Sequence, residues 1–413
     1  MVRRFPALAS RDFTIFLIGQ FISVIGTWMQ NTAQPYLAYR ISGRPLDLGL
    51  IGFAATLPTL ILALPAGVLV ERWDKRKTVI IFQSIMSLQA LGLAALTFTG
   101  HIQIWHIGVL ALIFGIASAV EITARQAMLI ELSGRDALPS AIALQSMVFN
   151  IGRVLGPLLA SWLLTSTGTE GSVFLANGVS YLFVIAGLIV IQTRYRVPRE
   201  TAEAKSLGTE FREGLGYIRR NTVVAAIILM SALVGFFGFP LVQQIPALAR
   251  DVLRTASDSE TIVAARTSQL YAAQGAGALI AALLAAYMSS SRNKGLMVTL
   301  GQVAFIIPLI TLGYVASLNL SMVLLVLMGW GTVTQLVSMN TLIQTNVPNG
   351  LRGRVFSVYL WALQGVAPFG SLLIGWLAQN WGVQIASLTG GLVSLVSIGV
   401  LHLASPGVRR AQA

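Results

Sequence analysis

Apolar residues in this chain come in long runs, separated by short stretches where Lys, Arg, Asp, Glu, Gly and Pro collect. Twelve runs stand out, at approximately 13–38, 47–70, 78–99, 104–124, 140–166, 172–192, 222–248, 263–288, 296–317, 320–344, 354–379 and 383–404. Each approaches or exceeds the roughly 20 helical residues that cross the hydrocarbon core of a bilayer. Barrel strands would be about 10 residues long with strict alternation, whereas these runs are continuous and rich in Leu, Ala, Ile and Gly. The pattern predicts an all-α membrane protein. The longest polar interruption, Thr193 to Asn221, falls near the middle of the chain. It predicts six helices in 1–192, a linker over 193–221 and six more in 222–413.

Composition agrees: 55% of the 413 residues are hydrophobic and 10% are charged, against about 25% charged in soluble domains. The net charge of +13 could suggest nucleic acid, but in a membrane chain it reads as topology. Of the 28 Lys and Arg residues, 22 fall in segments on the side of the termini, 5 fall on the opposite side, and Arg153 lies inside a run. The positive-inside rule then puts both termini in the cytoplasm. The first apolar run, after Arg3, Arg4 and Arg11, is too long for a signal peptide and lacks a clear cleavage site, so it is the first span. There is no cysteine, which excludes disulfides, thiolate metal sites and cysteine nucleophiles.

The two halves echo each other. Leu158 to Leu163 (LLASWL) resembles Leu372 to Leu377 (LLIGWL), and the same offset pairs Gly168 with Gly382 and Ser180 with Ser394. Internal repeats of this kind characterise transporters that bind substrate near the bilayer midplane at the repeat interface. In the linker, Leu207, Phe211, Leu215 and Ile218 share one helical face, with Glu210, Arg212, Glu213, Arg219 and Arg220 around the rest. This predicts a helix on the cytoplasmic membrane surface.

Three groups of residues carry mechanism. Between spans two and three stand Gly67, Glu71, Arg72, Asp74, Lys75 and Arg76, with opposite charges at the cytoplasmic rim. The loop reads either as a gate or as a basic topogenic signal. Span five carries Asn150, Gly152, Arg153, Gly156 and Pro157, followed by Ala160 and Ser161; small residues four apart allow helices to approach closely, and Pro157 bends the helix. Gly26 to Gln30 in span one, Ala124 to Ala127 after span four and Arg352-Gly353-Arg354 before span eleven complete the set. The first loop resembles the signature loop of the major facilitator superfamily, with Glu71 for Asp and Asp74 for the second Gly. The span-five segment resembles that superfamily's exporter motif, with Ala160 and Ser161 for the last two glycines. In order and spacing, the set resembles the enterobactin-exporter and macrolide-efflux branch, the transmembrane secretion effectors, over nearly the whole chain. The resemblance implies the major facilitator fold, two pseudo-symmetric six-helix bundles, and export by proton antiport from the bacterial inner membrane.

An ionisable residue inside a span is a functional hypothesis by default. Arg153 lies roughly 20 Å into span five at 1.5 Å per residue. It could be satisfied by helix carbonyls, by Asn or Gln of other spans, or by a substrate anion. Glu121 is expected about one turn inside the cytoplasmic end of span four, too shallow to pair with Arg153. It would join Glu71, Arg72, Lys75, Arg125, Arg352 and Arg354 in a rim network, or carry a proton if burial raises its pKa. No carboxylate lies deep in span one. Gln20, Thr27, Asn31 and Gln34 follow one face there instead, and Trp28, Gln274, Gln335, Asn340, Tyr359, Trp361 and Gln364 offer similar neutral chemistry. That set favours a neutral or anionic amphiphile over a cation.

The expected protein is thus a secondary active exporter of a small amphiphilic molecule such as a siderophore or macrolide, with protons as coupling ion, acting as a monomer in the lipid bilayer without a cofactor or nucleic acid partner. A lysophospholipid transporter or flippase of the same fold is the alternative. An integral-membrane enzyme would need clustered acids or histidines. His101, His106 and His402 are scattered, and no phosphate loop or metal-spaced cluster appears.

Overall fold

A computed structural model describes residues 5–191, 207–288 and 293–411, excluding the side chains at 63–64, 67–69, 71–72, 207–211, 286, 349 and 410. Among the described residues the ordered elements are helices. They are α1 (Arg11–Ser42), α2 (Pro45–Arg72), α3 (Lys75–Phe98), α4 (Ile104–Ser133), α5 (Leu138–Thr167), α6 (Glu170–Val190), α7 (Leu207–Arg220), α8 (Thr222–Leu233), α9 (Glu260–Tyr287), α10 (Lys294–Thr311), α11 (Leu318–Asn346), α12 (Asn349–Gly365) and α13 (Ala367–Ala404). Eleven stretches of the described residues are long and apolar enough to cross a membrane. The last, Gly350–Ala404, has 55 residues, more than twice the roughly 20 that one crossing needs. Gly382 interrupts it at φ 84° and ψ 159°, so it contains two crossings and the total is twelve.

Local sequence explains most of the boundaries. Ser10 caps α1 by accepting from the Phe13 amide, and Asp74 caps α3 by accepting from Lys77, each relieving an orphan donor at a helix start. Gly43 and Gly168 end α1 and α5 in the left-handed region, which favours glycine. Gly168 and Gly382, paired by the sequence repeat, both have positive φ, 70° and 84°.

The apolar run predicted over 222–248 is not one regular helix. After α8 it passes through a π turn at Val234–Gly238, short helices at Phe239–Gln243 and Ile245–Ala247, and a second π turn at Leu248–Val252. Pro240 and Pro246 cannot donate to the helical ladder. A Cβ on Gly235 would run into the Leu363 carbonyl, and one on Gly370 into the Phe236 carbonyl, so backbones meet directly here.

Two compact units are present. Unit one holds α1, α3 to α6, α2 from Ala54 onward, and Asp258–Ala272 at the start of α9. Unit two holds Arg44–Phe53, α7, α8 and the chain from Ala273 onward. Unit one has an apolar core with Phe13, Phe16, Val79, Met128, Leu129 and Leu188, and Met86, Ala90, Ala117 and Tyr181 form a second cluster there. In unit two, Phe237, Ile374, Leu377, Ala378 and Ala386 cluster between the segment after α8 and α13. The linker helix α7 packs on α12 rather than only facing the membrane surface. Ile218 is buried, Gly214 lies against Arg354, and Glu213 pairs with Arg354.

Candidate functional site

In unit one the span-five motif is a seat for Trp28. Gly156 lies against Trp28 so closely that a Cβ there would sit 2.9 Å from the Trp28 carbonyl carbon and 3.0 Å from the Met29 nitrogen. A Cβ on Gly152 would meet Val24 at 2.6 Å and the Trp28 ring at 3.3 Å. The two glycines thus let α5 close onto α1, as small residues do between membrane helices. The Trp28 ring packs edge-on against Phe149 at 5.4 Å and carries the Arg153 guanidinium 5.5 Å from its centroid. Arg153 is 15 residues past Leu138 in the 30-residue α5, so it lies about 22 Å along the helix, near its middle. Its Nε is buried and has no hydrogen-bond partner. Among the described residues Arg153 has no ion-pair partner; the Trp28 face is its nearest electrostatic contact. Cation–π contacts contribute about 0.5–2 kcal/mol and supply no hydrogen-bond acceptor to the buried Nε. Asn150 turns back on its own helix, donating to the Ser146 carbonyl at 2.8 Å.

Glu121 is deeper than its position in the apolar run suggested. Helix α4 continues to Ser133, twelve residues beyond Glu121, or about 18 Å. The helix continues because Ala124, Met128, Leu129 and Leu132 keep an apolar face in the core, and because Arg125, one turn on, neutralises Glu121 at 3.1 Å. Gln83 of α3 donates to the same carboxylate at 2.9 Å. Only 3% of Glu121 is exposed. Counted from the α4–α5 turn, Glu121 and Arg153 differ by about three residues in depth, so the expectation that depth separates them is corrected. They are not bonded to each other, since the Glu121 oxygens are engaged by Gln83 and Arg125.

The rest of the expected gate divides into separate contacts. The side chains of Gly67, Glu71 and Arg72 lie outside the described residues. Asp74 is the α3 cap, Lys75 pairs with Glu131, and Arg76 donates to the Ile189 carbonyl at 2.8 Å. In unit two Arg354 pairs with Glu213, while the Arg352 Nε is buried without a partner.

The expected path residues fall in both units and differ in setting. Thr27 bonds the Tyr181 hydroxyl at 3.0 Å, and Gln34 accepts from Gln30 at 3.1 Å. Gln20 is buried with its Oε1 unpartnered, whereas Asn31 is exposed. In unit two Gln274 is buried, and Gln335 is buried with both amide atoms unpartnered. Tyr359 donates to the Leu336 carbonyl at 3.3 Å, Asn340 accepts from Gln344, and Trp361 and Gln364 are exposed. A network absent from the sequence expectations joins three helices of unit one. Gln30 donates to Gln89 at 3.1 Å and accepts from Asn177 at 2.8 Å, and Asn177 reaches Tyr181. Its only sequence signal was amides spaced along otherwise apolar helices.

A family model for transmembrane secretion effectors matches residues 3–411. The chain belongs to the transmembrane secretion effector family. This family member is similar to the multidrug efflux pump Tap of Mycolicibacterium fortuitum, 22% identical over 402 residues and 96% of each chain. It is similar also to the enterobactin exporter EntS of Shigella boydii, 25% identical over 393 residues, covering 95% of this chain and 91% of that one. Among solved structures, a bacterial homolog of the human lysosomal transporter Spinster matches with a TM-score of 0.72 at 15% identity, covering 97% and 98% of the two chains. The nucleoside transporter NupG matches with a TM-score of 0.72 at 14% identity over 95% and 99%. At those identities the likeness shows the fold alone, which is that of the major facilitator transporters. The secretion effector is a multi-pass membrane transporter and not an enzyme.

Proposed function

We propose that this secretion effector exports a small amphiphilic molecule, neutral or anionic, from the cytoplasm by alternating access between two six-helix bundles, 1–192 and 222–413. Both termini face the cytoplasm of a bacterial inner membrane, and the protein works as a monomer. The observation that carries the reading is Arg153 at mid-depth of α5, stacked on Trp28, with a buried Nε that no group among the described residues satisfies. Leaving such a charge unpaired inside a membrane costs several kcal/mol, and an anionic or hydrogen-bond-accepting substrate group offsets that cost. The Trp28 and Phe149 rings supply apolar surface beside it. The names of Tap and EntS favour export of drugs or siderophores. Protons are the coupling ion in this reading, with Glu121 as the carboxylate that exchanges them, because it is buried yet held by two donors able to release it.

Purified protein in liposomes, under an imposed proton gradient, tests this against a catecholate siderophore, a macrolide, a lysophospholipid and a lipophilic cation. Movement of the siderophore or macrolide, lost in Arg153→Ala, is expected. Transport of the cation alone, or of the lysophospholipid alone, would overturn the assignment.

A further inference from the structure

Unit two contains a ligand-sized space that the transport reading does not use. A cavity of about 230 Å³ lies between the end of α9, the start of α10 and α11. Ala281, Leu284, Trp330 and Val337 are among its walls, with Lys294 and Thr341 at one end. Leu284, Met288, Leu300 and Val337 are all substantially exposed, so the cavity opens through apolar side chains of all three helices, a lining suited to an acyl chain.

The end of the cavity with Lys294 is at headgroup level. Tyr287, 87% exposed at the last position of α9, belongs to the residue class that anchors helices at the membrane–water interface. The next residue, Met288, offers its carbonyl to the Lys294 ammonium at 3.1 Å. Lys294 is itself only 6% exposed and is one of the residues that line the cavity. In the other direction the walls run from Thr341 to Trp330, eleven residues of α11 or about 16 Å. One leaflet of hydrocarbon is about 15 Å thick. A cation at headgroup depth, above an apolar slot one leaflet deep, matches one kind of occupant.

We infer that this cavity is a binding site for an anionic phospholipid, with an acyl chain along Leu284, Val337 and Trp330 and the phosphate beside Lys294. Neither Arg153 nor Trp28 lines the cavity, and the inference does not depend on what is exported.

Trp330 makes the site observable. Full-length protein would be reconstituted in phosphatidylcholine containing chain-brominated phosphatidylglycerol or, separately, chain-brominated phosphatidylcholine. Quenching of Trp330 by the bromines is taken as the difference between wild type and Trp330→Phe. About 1 kcal/mol per basic side chain at a membrane surface corresponds to roughly a fivefold preference for the anionic lipid. That preference is expected in wild type and in Lys294→Arg, and is expected to vanish in Lys294→Met. Equal quenching by both lipids in wild type, or a preference that survives Lys294→Met, overturns the assignment. Should Lys294→Met fail to fold, Ala285→Leu, which narrows the slot and leaves the charge, is expected to abolish Trp330 quenching by either lipid, and unaltered quenching there also overturns it.

Discussion

The Tyr36 hydroxyl, near the end of α1, donates to the backbone carbonyl of Glu260, the first residue of α9, at 2.9 Å. A counterpart occurs in unit two. Gln244, after α8, donates to the carbonyl of Pro45, the first residue of α2, at 3.2 Å. In each case the end of one span holds the start of a helix from the other half of the sequence. Asp258–Ala272 accordingly lies in the same unit as Tyr36, and Arg44–Phe53 in the same unit as Gln244. Both contacts are at the helix ends away from the termini, the outer side in the proposed topology. If the two halves of the sequence separate at this side in the proposed alternating access, each bond acts as a latch that the step breaks.

The latch predicts that Tyr36→Phe favours opening at that end. One hydrogen bond is worth about 1 kcal/mol net, close to a fivefold change in an equilibrium. The chain has no cysteine, so Thr261→Cys supplies a unique thiol at an exposed position near the contact. Labelling by a membrane-impermeant maleimide is expected to rise about fivefold when Tyr36→Phe is added. Gln244→Ala should act in the same direction. Unchanged labelling in both would show that these bonds do not limit opening.

Beside the latch, Arg40 grips Glu170 with two bonds, of 2.7 and 3.0 Å. The two sides of the pair are unequal, with 38% of the Arg40 side chain exposed against 5% for Glu170. Arg40→Ala leaves a buried carboxylate without its bidentate partner, which costs about 1–3 kcal/mol or more for a charged group. Glu170→Ala leaves a cation that water still reaches. Thermal unfolding in detergent should therefore show Arg40→Ala as the more damaging of the two. The opposite order would mean that Glu170 is satisfied by other donors.

How much of this was legible in the sequence follows from the range of the interactions. The spans were legible because crossing a bilayer constrains each apolar run by itself. Gly168 and Gly382 were legible as a repeat pair, since a positive φ favours glycine in both places. Glu121 was misjudged in depth because its charge looked like the end of a span. The structure gives it a neutralising neighbour, Arg125, that lets the helix run on. The network of Gln30, Gln89 and Asn177 depends on which faces of α1, α3 and α6 meet, and single-helix periodicity does not contain that. The π turns after α8 were hidden for the same reason, because the backbones that force them, Gly235 on Leu363 and Gly370 on Phe236, come from distant parts of the chain.

The seat of Trp28 predicts a graded pair of substitutions. In Gly156→Ala the new methyl meets backbone atoms of Trp28 and Met29 at 2.9–3.0 Å, which cannot yield without moving α1. Overpacking of this kind costs about 1–3 kcal/mol. In Gly152→Ala the contact at 2.6 Å is a Val24 methyl, and the ring edge of Trp28 is 3.3 Å away, so a rotamer change relieves much of it. Transport and melting temperature should fall more in Gly156→Ala than in Gly152→Ala. Gly108→Ala, with open space around it, should leave both unchanged. Equal loss in the first two would place the sensitivity in α5 itself rather than in its contact with Trp28.

Glu121 offers a separate test of energy coupling. Glu121→Gln keeps the shape and can still bond Gln83, but it cannot exchange a proton and it leaves Arg125 without its 3.1 Å carboxylate partner. A carrier that has lost its proton site can still reorient with substrate bound, so exchange of labelled for unlabelled substrate should continue. Substrate-driven proton release from proteoliposomes, and accumulation against a gradient, should be lost. To separate coupling from the loss of an ion pair, Arg125→Gln in the same background removes the stranded cation. Exchange should then match or exceed that of Glu121→Gln while proton release stays absent. Proton release that persists in Glu121→Gln would move the coupling site to another group and leave Glu121 as a structural partner of Arg125 and Gln83.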